Sequence, residues 1–368
     1  MIVLLASGGF ALIFSLLLTP LFALLFRRMN LGQFFRADTP TTHVVKRGTP
    51  SMGGIVFITA VIFSYLLAKL LAQEPPSATA LLVILMMVGL GLVGFIDDYM
   101  KVRRQNSLGL PGIGKIIGTV IVAIIFAIVG LEVRDENQLA PVSSAISWVR
   151  DIPFLDLVVI FGPVLGVIAI VAWIVVITTS VSNAVNLADG LDGLAAGASI
   201  FAIGSYVIIG FWQYTQWCYN GQSAAEDMFK CYNVSSPLEI AVMGSTIVGA
   251  LIGFLWWNTS PAQIMMGDTG AFGLGGALAA LAILSRTELL LVFIGGLFVI
   301  VTMSVIIQRT YFKLTKGKRI WRASPLHHHF EMKGWAEVTI VVRFWIIAGL
   351  LVAGGVGLFY LEWLSRSS

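Results

Sequence analysis

The chain has 368 residues, of which 58% are apolar and only 11% are charged, with a formal net charge of +4 and a mean hydropathy of +0.92. A soluble domain carries about 25% charged residues, so this composition excludes a water-soluble globule. No linker, low-complexity tract or fixed repeat divides the sequence, which predicts a single integral membrane domain over residues 1–368. No nucleic-acid partner is expected.

Ten apolar stretches approach the ~20 residues that a helix needs to cross a bilayer. They lie at 2–26, 53–73, 78–97, 116–131, 156–179, 197–212, 238–256, 271–285, 288–308 and 340–364. The first stretch has no cleavage site after it and is too long for a signal sequence, so we expect it to be retained. The predicted fold is an all-α, polytopic membrane protein with about ten transmembrane helices.

The positive charges indicate how these helices are oriented. Sixteen of the 23 Lys and Arg residues fall in five alternate loops, at 27–52, 98–115, 180–196, 257–270 and 309–339, and six fall in the segments on the other side. Lys and Arg accumulate in cytoplasmic loops, so we expect these five loops in the cytoplasm and both termini outside. The loops 180–196 and 257–270 have no Lys or Arg and are rich in Asn, Asp and Gly. This composition predicts an active site on the cytoplasmic loops.

Two adjacent carboxylates, Asp97 and Asp98, close the predicted third span in GFIDDYMKVRR. Neighbouring residues of a helix point about 100° apart, so the pair cannot share one face, whereas Lys101 lies one turn beyond Asp97. The pattern is compatible with a carboxylate base beside a cation that attracts phosphate. A solvated helix end held by an Asp–Lys pair gives the same pattern.

The loop NAVNLADGLDG places Asn183, Asn186, Asp189 and Asp192 three residues apart, which makes one polar stripe if this stretch is helical. Amide and carboxylate groups can fix a uracil ring or ribose hydroxyls, and Gly190 permits close approach of the backbone. A helix-capping turn is the alternative, but a cap needs fewer polar groups.

Asp268 follows a glycine in MMGDTG, in the second loop that lacks Lys and Arg. A carboxylate in such a turn suits Mg²⁺, which keeps several waters and reaches substrate phosphates through one or two protein ligands. A tight turn that leads into the next span is the alternative.

The segment GLPGIGKI (109–116) matches part of a phosphate-binding loop. No strand precedes it and no Ser or Thr follows Lys115, so an ATPase is rejected, although Lys115 can still contact phosphate.

Three consecutive histidines, His327 to His329, stand in SPLHHHFEMKGW. Zinc ligands usually lie three to five residues apart, so contiguous histidines do not easily converge on one ion. We expect one of them to contact phosphate. A zinc-dependent membrane hydrolase is the competing interpretation.

Two other segments are basic. The tract QRTYFKLTKGKRIWR (308–322) mixes aromatic residues with six Lys and Arg side chains, which fits either an interfacial helix on anionic lipid headgroups or charge that only sets topology. KRGTPSMGG (46–54) precedes the second span, and its basic residues are candidates for holding a nucleotide.

The two cysteines, Cys218 and Cys231, share one polar loop. A disulfide is expected only if that loop faces an oxidising compartment, and two unpaired thiols are the alternative.

Together these blocks resemble the phospho-N-acetylmuramoyl-pentapeptide transferases of bacterial cell-wall synthesis. KRGTPSMGG, GFIDDYMK, NAVNLADGLDGLAAG, MGDTG and PLHHHFEMKGW occur in the order of that family, on alternate loops, across nearly the whole chain. The triple-histidine block is the most specific, because the related transferases that load N-acetylglucosamine phosphate onto the same lipid differ there.

The resemblance implies transfer of phospho-N-acetylmuramoyl-pentapeptide from its UDP conjugate to undecaprenyl phosphate, which gives lipid I and UMP, with Mg²⁺ as cofactor and the bacterial plasma membrane as location. It is compatible with a homodimer. By position in the motifs, Asp268 would bind the metal, and the catalytic residues would be Asp97, Asp98, Lys101, Lys115 and His327. The nucleotide-binding residues would be Lys46, Ser51, Asn183, Asn186, Asp189, Gly190, Asp192, Asn258 and Met265.

Three positions depart from the family pattern. Met265 stands where the family usually has a Phe that stacks on uracil, Ser51 replaces the usual Thr but keeps the hydroxyl, and Ala271 replaces a common Ser after GDTG. Two alternative functions stay open, a related UDP-N-acetylglucosamine transferase and a secondary transporter. A transporter binds its substrate near the bilayer midplane, whereas the acidic motifs here cluster on one predicted face.

Overall fold

A computed structural model describes residues 1–29, 48–104, 109–219 and 230–366 of the chain. Its helices are α1 (Ile2–Arg28), α2 (Gly54–Ala72), α3 (Ala78–Arg103), α4 (Gly112–Glu132), α5 (Leu157–Ala188), α6 (Leu194–Thr215), α7 (Pro237–Asn258), α8 (Gly267–Leu284), α9 (Leu291–Ile294), α10 (Gly296–Leu314), α11 (Leu326–Glu331) and α12 (Glu337–Ser365). Within the described residues, ten of these helices are long and apolar enough to cross a membrane, and α9 and α11 are short. The predicted number of spans is confirmed.

The all-α description is incomplete, because a two-stranded antiparallel hairpin lies between α4 and α5. Its strands are β1 (Ala145–Ser147) and β2 (Asp151–Asp156). The backbone N–H of Ser147 donates to Glu288 Oε2 (2.8 Å), and the Leu289 N–H donates to the Ser147 carbonyl (3.0 Å). The hairpin is thus held against the segment that follows α8.

The helices extend beyond the predicted apolar spans at their polar ends. The third helix continues to Arg103, the fifth to Ala188 and the tenth to Leu314, each past the last apolar residue of its stretch. The eighth helix begins at Gly267, before the predicted start at 271. Backbone hydrogen bonds continue a helix after its apolar run ends, so Asp98 and Asp268, which were predicted in loops, lie on helices.

The predicted span at 288–308 is divided. A four-residue helix, α9, precedes the break at Gly295, and the long helix α10 starts at Gly296. Glu288 is therefore outside a spanning helix, and it is buried.

Helix α8 is the central helix of the fold, and every residue from Thr269 to Leu284 is buried. Its sequence is rich in Gly and Ala, which let neighbouring backbones approach closely. A β-carbon at Gly276 would lie 2.6 Å from the Met86 carbonyl oxygen of α3. This close packing brings the C-terminal part of α3 to the first turn of α8.

Candidate active site

Three carboxylates converge where α3 meets the first turn of α8. Asp97, Asp98 and Asp268 each offer one oxygen, and these oxygens lie within 4.8 Å of one another. Asp97 and Asp98 are buried, and Asp268 is half-buried. Like charges at this distance disfavour one another unless cations neutralise them, so the neighbouring positive groups decide what the site can do.

Two lysines supply positive charge. Lys101 Nζ lies 2.5 Å from Asp97 Oδ2 and 3.1 Å from Asp268 Oδ2. Lys115, in the first turn of α4, lies 3.0 Å from the same Asp97 oxygen and 2.5 Å from Asp268 Oδ2. We call these two lysines and the three aspartates, including Asp98, the carboxylate–lysine cluster. Three carboxylates and two ammonium groups leave one net negative charge when all five are ionised.

Asp98 is bound to the N-terminus of α8. Its carboxylate accepts hydrogen bonds from the backbone N–H groups of Asp268 (3.2 Å) and Thr269 (2.9 Å) and from the Thr269 hydroxyl (2.8 Å). The residue before α8, Met266, makes no side-chain cap, so Asp98 satisfies from α3 the N–H groups that an N-cap would otherwise serve. The helix dipole also favours a negative charge there. Asp98 thereby fixes the position of Asp268.

Two glycines allow this contact. A β-carbon at Gly94 would overlap the Asp268 carbonyl, and one at Gly267 would lie 2.7 Å from Asp98 Oδ2. Gly267 also has a φ of +73°, a backbone conformation that favours glycine.

Asn186 of the predicted polar stripe reaches the carboxylates. Its amide donates to Asp268 Oδ1 (3.0 Å). The Asn183 amide instead donates to a carbonyl of its own helix (2.8 Å). Because α5 ends before Asp189, the stripe is helical for the two asparagines only, and Asp192 lies in the following turn.

Asp189, at the end of α5, has a raised pKa of about 8, mainly because it is desolvated and also because of the negative charges of Asp268 and Asp98. Asp189 therefore loses a proton less readily than an ordinary aspartate. The adjacent Gly190 packs on the buried His327, since a β-carbon at Gly190 would overlap the His327 ring. Helix α11 is thus docked on the turn after α5.

Three other predicted nucleotide-binding residues hold the loop 259–266. Asp192 Oδ2 accepts from the Ala262 N–H (3.1 Å), and the Asn258 amide donates to a carbonyl within that loop (2.9 Å). The Met265 N–H donates to a carbonyl of the segment before α2 (2.8 Å). These bonds fix the loop that leads into Asp268.

The segment before α2 contains two further predicted residues. Ser51 is buried, and the neighbouring Gly53 N–H donates to the Met265 carbonyl (2.9 Å), so Ser51 lies beside the loop 259–266. Lys46 lies outside the described residues.

The carboxylate oxygens of Asp97, Asp98 and Asp268 suit a hard divalent cation such as Mg²⁺. Within the described ranges, no other group of three His, Cys, Asp or Glu side chains comes close enough to hold a metal ion. The net negative charge that remains after the lysines are counted also favours a cation. The residues present therefore fit a Mg²⁺ ion.

The histidine run does not form such a group. His328 Nδ1 contacts Glu331 Oε2 at 2.6 Å, and His329 Nδ1 accepts from the Arg322 N–H at 3.1 Å. The three rings have different surroundings, which argues against the zinc interpretation.

Sequence reasoning missed Thr269 and Gly94. The Thr269 hydroxyl and its partner Asp98 are 171 residues apart, so no local pattern joins them. The sequence shows a Thr after the Asp of MGDTG, but it does not show that this Thr contacts Asp98 in the folded protein.

The chain matches the family model for glycosyl transferase family 4 over residues 80–286 and the phospho-N-acetylmuramoyl-pentapeptide-transferase signature 1 over residues 46–58. It is 62% identical to the phospho-N-acetylmuramoyl-pentapeptide-transferase of Clavibacter michiganensis subsp. michiganensis, with 100% of each chain covered. The protein of the same name from Pseudarthrobacter chlorophenolicus is 54% identical, with 99% of each chain covered. The one from Nocardioides sp. is 49% identical, with 98% of each chain covered.

Proposed function

The chain belongs to the family of the phospho-N-acetylmuramoyl-pentapeptide-transferases, and from this membership we propose that it transfers phospho-N-acetylmuramoyl-pentapeptide from its UDP conjugate to undecaprenyl phosphate. The products are lipid I and UMP. The observation that carries the assignment is the carboxylate–lysine cluster at one end of the spanning helices, where a lipid phosphate can meet a water-soluble nucleotide.

The proposed chemistry is a displacement at phosphorus. An oxygen of the lipid phosphate forms a bond to the β-phosphorus of the UDP-sugar, and the bond from that phosphorus to the bridging oxygen breaks, so UMP leaves with the electron pair. Phosphoryl transfer depends mostly on positioning and on neutralising charge. Lys101 and Lys115, which already bridge two carboxylates, are the groups that neutralise the phosphates.

Asp97 is the proposed base that keeps the attacking lipid phosphate ionised. Its Oδ1 accepts from the Leu110 N–H at 2.6 Å, while its Oδ2 faces the two lysines. Asp98 is poorly disposed as a nucleophile, because both of its oxygens accept hydrogen bonds from the start of α8. This disfavours an aspartyl-phosphate on Asp98 and favours a positioning role for that residue.

We propose that Asp268 holds Mg²⁺, together with oxygens of the substrate. A bound Mg²⁺ would supply charge neutralisation to the diphosphate. The Asn186 amide, at 3.0 Å from Asp268 Oδ1, orients that carboxylate.

The uridine is proposed to bind beside the turn 189–192 and the loop 259–266. Asp189 and Asp192 offer carboxyl groups in this turn, and His327 lies against Gly190 of the same turn. Met265 provides an apolar but unstacked contact for the base. His327 is proposed to approach the phosphates from this side.

The proposed orientation puts the cluster in the cytoplasm of a bacterial plasma membrane and both termini outside. The excess of Lys and Arg in the loops on the side of the cluster supports it. In a variant that lacks both cysteines, a membrane-impermeant maleimide on intact cells should label Arg134→Cys and leave Lys316→Cys unlabelled. The reverse labelling pattern would overturn the orientation.

The proposed reaction is tested by UMP release with undecaprenyl phosphate as acceptor. UDP-N-acetylmuramoyl-pentapeptide should support release and lipid I formation, and UDP-N-acetylglucosamine at the same concentration should not. Turnover of UDP-N-acetylglucosamine alone would favour the related transferase. Release without any acceptor lipid would point to a hydrolase.

A further inference from the structure

A crevice of about 380 Å³ lies at the C-terminal end of α10, between that helix and the loop that follows it. It is lined by Val305, Gln308, Arg309, Phe312, Arg319, Ala323 and Ser324. None of these residues belongs to the carboxylate–lysine cluster, and the proposed reaction does not use them.

Hydrogen bonds from one buried side chain build the crevice. Gln308 Oε1 accepts from the N–H groups of Ile320 (3.1 Å) and Trp321 (3.0 Å), and its Nε2 donates to the Trp321 carbonyl (3.3 Å). The Ser304 hydroxyl accepts from the Leu326 N–H (3.1 Å), which holds the far end of the loop. These hydrogen bonds therefore fix the loop against α10.

The crevice is strongly positive. Residues 309–322 carry six Lys and Arg side chains and no Asp or Glu. In the part of the chain that the structure describes, neither Arg309 nor Arg319 has an ion pair with a carboxylate. Arg319 lies over the Phe312 ring at 5.9 Å. Two guanidinium groups thus face one cavity with no anion of the described chain to neutralise them.

The crevice also lies where lipid headgroups would be. Helix α10 is one of the spanning helices, and the crevice is at its polar end. Apolar side chains next to the charges are exposed, with Leu314 at 78%, Ile320 at 47% and Phe312 at 42% of full exposure. Exposed apolar side chains among Lys and Arg are typical of a surface that sits at the boundary between headgroups and acyl chains.

We propose that this crevice binds the phosphodiester of an anionic phospholipid, with Arg309 and Arg319 on the phosphate and Phe312 and Val305 against the start of an acyl chain. Guanidinium groups bind phosphate oxygens in paired hydrogen bonds, which an exposed lysine cannot reproduce. The bonds of Gln308 fix the loop that carries Arg319 beside the helix that carries Arg309, so both arginines line one crevice and the feature is more than a charged patch.

Helix α8 leads away from the cluster and α10 leads back, so the crevice is on the same membrane face as Asp268. The loop that forms its wall continues into α11, which carries His327. The lipid site is separate from the reacting groups but lies on the segment that positions one of them.

The site is tested by native mass spectrometry of the full chain in detergent, titrated with phosphatidylglycerol or phosphatidylcholine. We expect the wild type to bind one molecule of phosphatidylglycerol tightly and to bind phosphatidylcholine much more weakly. The double variant Arg309→Gln/Arg319→Gln should bind that lipid roughly 30-fold more weakly, which corresponds to about 1 kcal/mol for each basic side chain. Its thermal unfolding should match the wild type, because both side chains are exposed.

The matched control is Lys313→Gln/Lys318→Gln, which removes the same charge from the same tract outside the crevice. It should retain the tight phosphatidylglycerol. Equal loss in both double variants would show diffuse surface charge and overturn the site, and so would equal affinity for phosphatidylcholine. Displacement of the lipid by millimolar inorganic phosphate would show a site for free anions and overturn the lipid assignment.

Discussion

Asp97 and Asp98 are adjacent in the sequence but contact different groups. The sequence argument that neighbours on a helix point about 100° apart predicts different partners for the two carboxylates. In the structure Asp97 contacts the two lysines, and Asp98 contacts the start of α8. The prediction that both are catalytic stays a prediction, and the geometry gives Asp98 a positioning role.

The substitution Thr269→Val tests the positioning role of Asp98 by removing one hydroxyl that donates to it. The substitution keeps the volume but removes the donor to Asp98 Oδ2, so the carboxylate that fixes Asp268 loses one of its three hydrogen bonds. Loss of a group that orients a metal ligand typically costs 10- to 100-fold in activity or metal affinity. We expect UMP release to fall by about that factor, with a higher Mg²⁺ concentration needed for half-maximal rate.

Thr269→Ser is the control, because it keeps the hydroxyl. It should recover most of the activity and the wild-type Mg²⁺ dependence. If Val and Ser variants behave alike, the hydroxyl has no positioning role.

The residues of the cluster could be nominated from sequence because charged side chains are costly inside an apolar span, so the chemistry was sought at the span ends and in the loops. Their mutual contacts could not, since Lys115 and Asp268 are 153 residues apart. Lys115 came from a motif rejected as an ATPase loop, and only the fold places its amine beside Asp268. Asn183 was nominated by residue type and spacing, but its amide donates to a carbonyl of its own helix and does not reach the carboxylates.

At the scale of elements, the contact between α3 and α8 depends on two glycines, Gly94 and Gly267, which have no β-carbon. Gly94 faces the backbone carbonyl of Asp268, which has no freedom to move aside. An apolar stretch in the sequence reveals that α3 and α8 exist but not that two glycines set the distance between them.

Gly94→Ala should therefore separate α3 from α8. Overpacking a tight contact costs about 1–3 kcal/mol, so we expect a lower unfolding temperature in detergent and reduced UMP release. Gly354→Ala is the matched control, because nothing lies within 4 Å of a β-carbon there. That control should be neutral or slightly stabilising, since Ala favours a helix over Gly. Equal behaviour of the two variants would contradict the contact.

Helix ends show where sequence prediction stops. Hydropathy gave the right number of candidate spans, but it ended the third and the fifth where the apolar residues end, although the backbone continues in helical form to Arg103 and Ala188. The β1–β2 hairpin was not predicted, because strands of three and six residues give little periodic signal. Its position depends on a bond to Glu288, 141 residues away.

Glu288 makes the stability of this hairpin contact depend on pH. Desolvation raises its pKa from the usual 4.5 to about 7, although the Ser147 N–H and Arg286 act in the opposite direction. The unfolded chain ionises near pH 4.5 while the folded chain stays protonated, so stability should fall between about pH 4.5 and pH 7 and then level off. The loss is at most about 3 kcal/mol.

The amide of Glu288→Gln does not titrate in this range. The unfolding temperature of the wild type relative to this variant should therefore decrease as pH rises through the window. A wild type that gains stability relative to the variant over the same window would contradict the raised pKa.

At the scale of the whole molecule, the carboxylate–lysine cluster and the contacts that only stabilise the fold lie at opposite ends of the helices. The carboxylate–lysine cluster lies at the start of α8, while the Glu288 contact follows its other end, about 27 Å away for 18 helical residues. A disulfide joins Cys218 and Cys231 in the connection between α6 and α7, and Arg150 lies over the ring of Tyr232 at 3.8 Å. The sequence left the cysteine pairing open, and the disulfide is present.

The most direct test of the account is UMP release as a function of Mg²⁺ for Asp268→Asn, compared with wild type and with Glu132→Gln, an exposed carboxylate at the far end of α4. Asn keeps the shape of the side chain but removes the charge that the two lysines share and that the metal needs. We predict a loss of at least about 100-fold for Asp268→Asn at every Mg²⁺ concentration, and wild-type turnover for Glu132→Gln. Wild-type turnover by Asp268→Asn would contradict a reaction centred on these carboxylates.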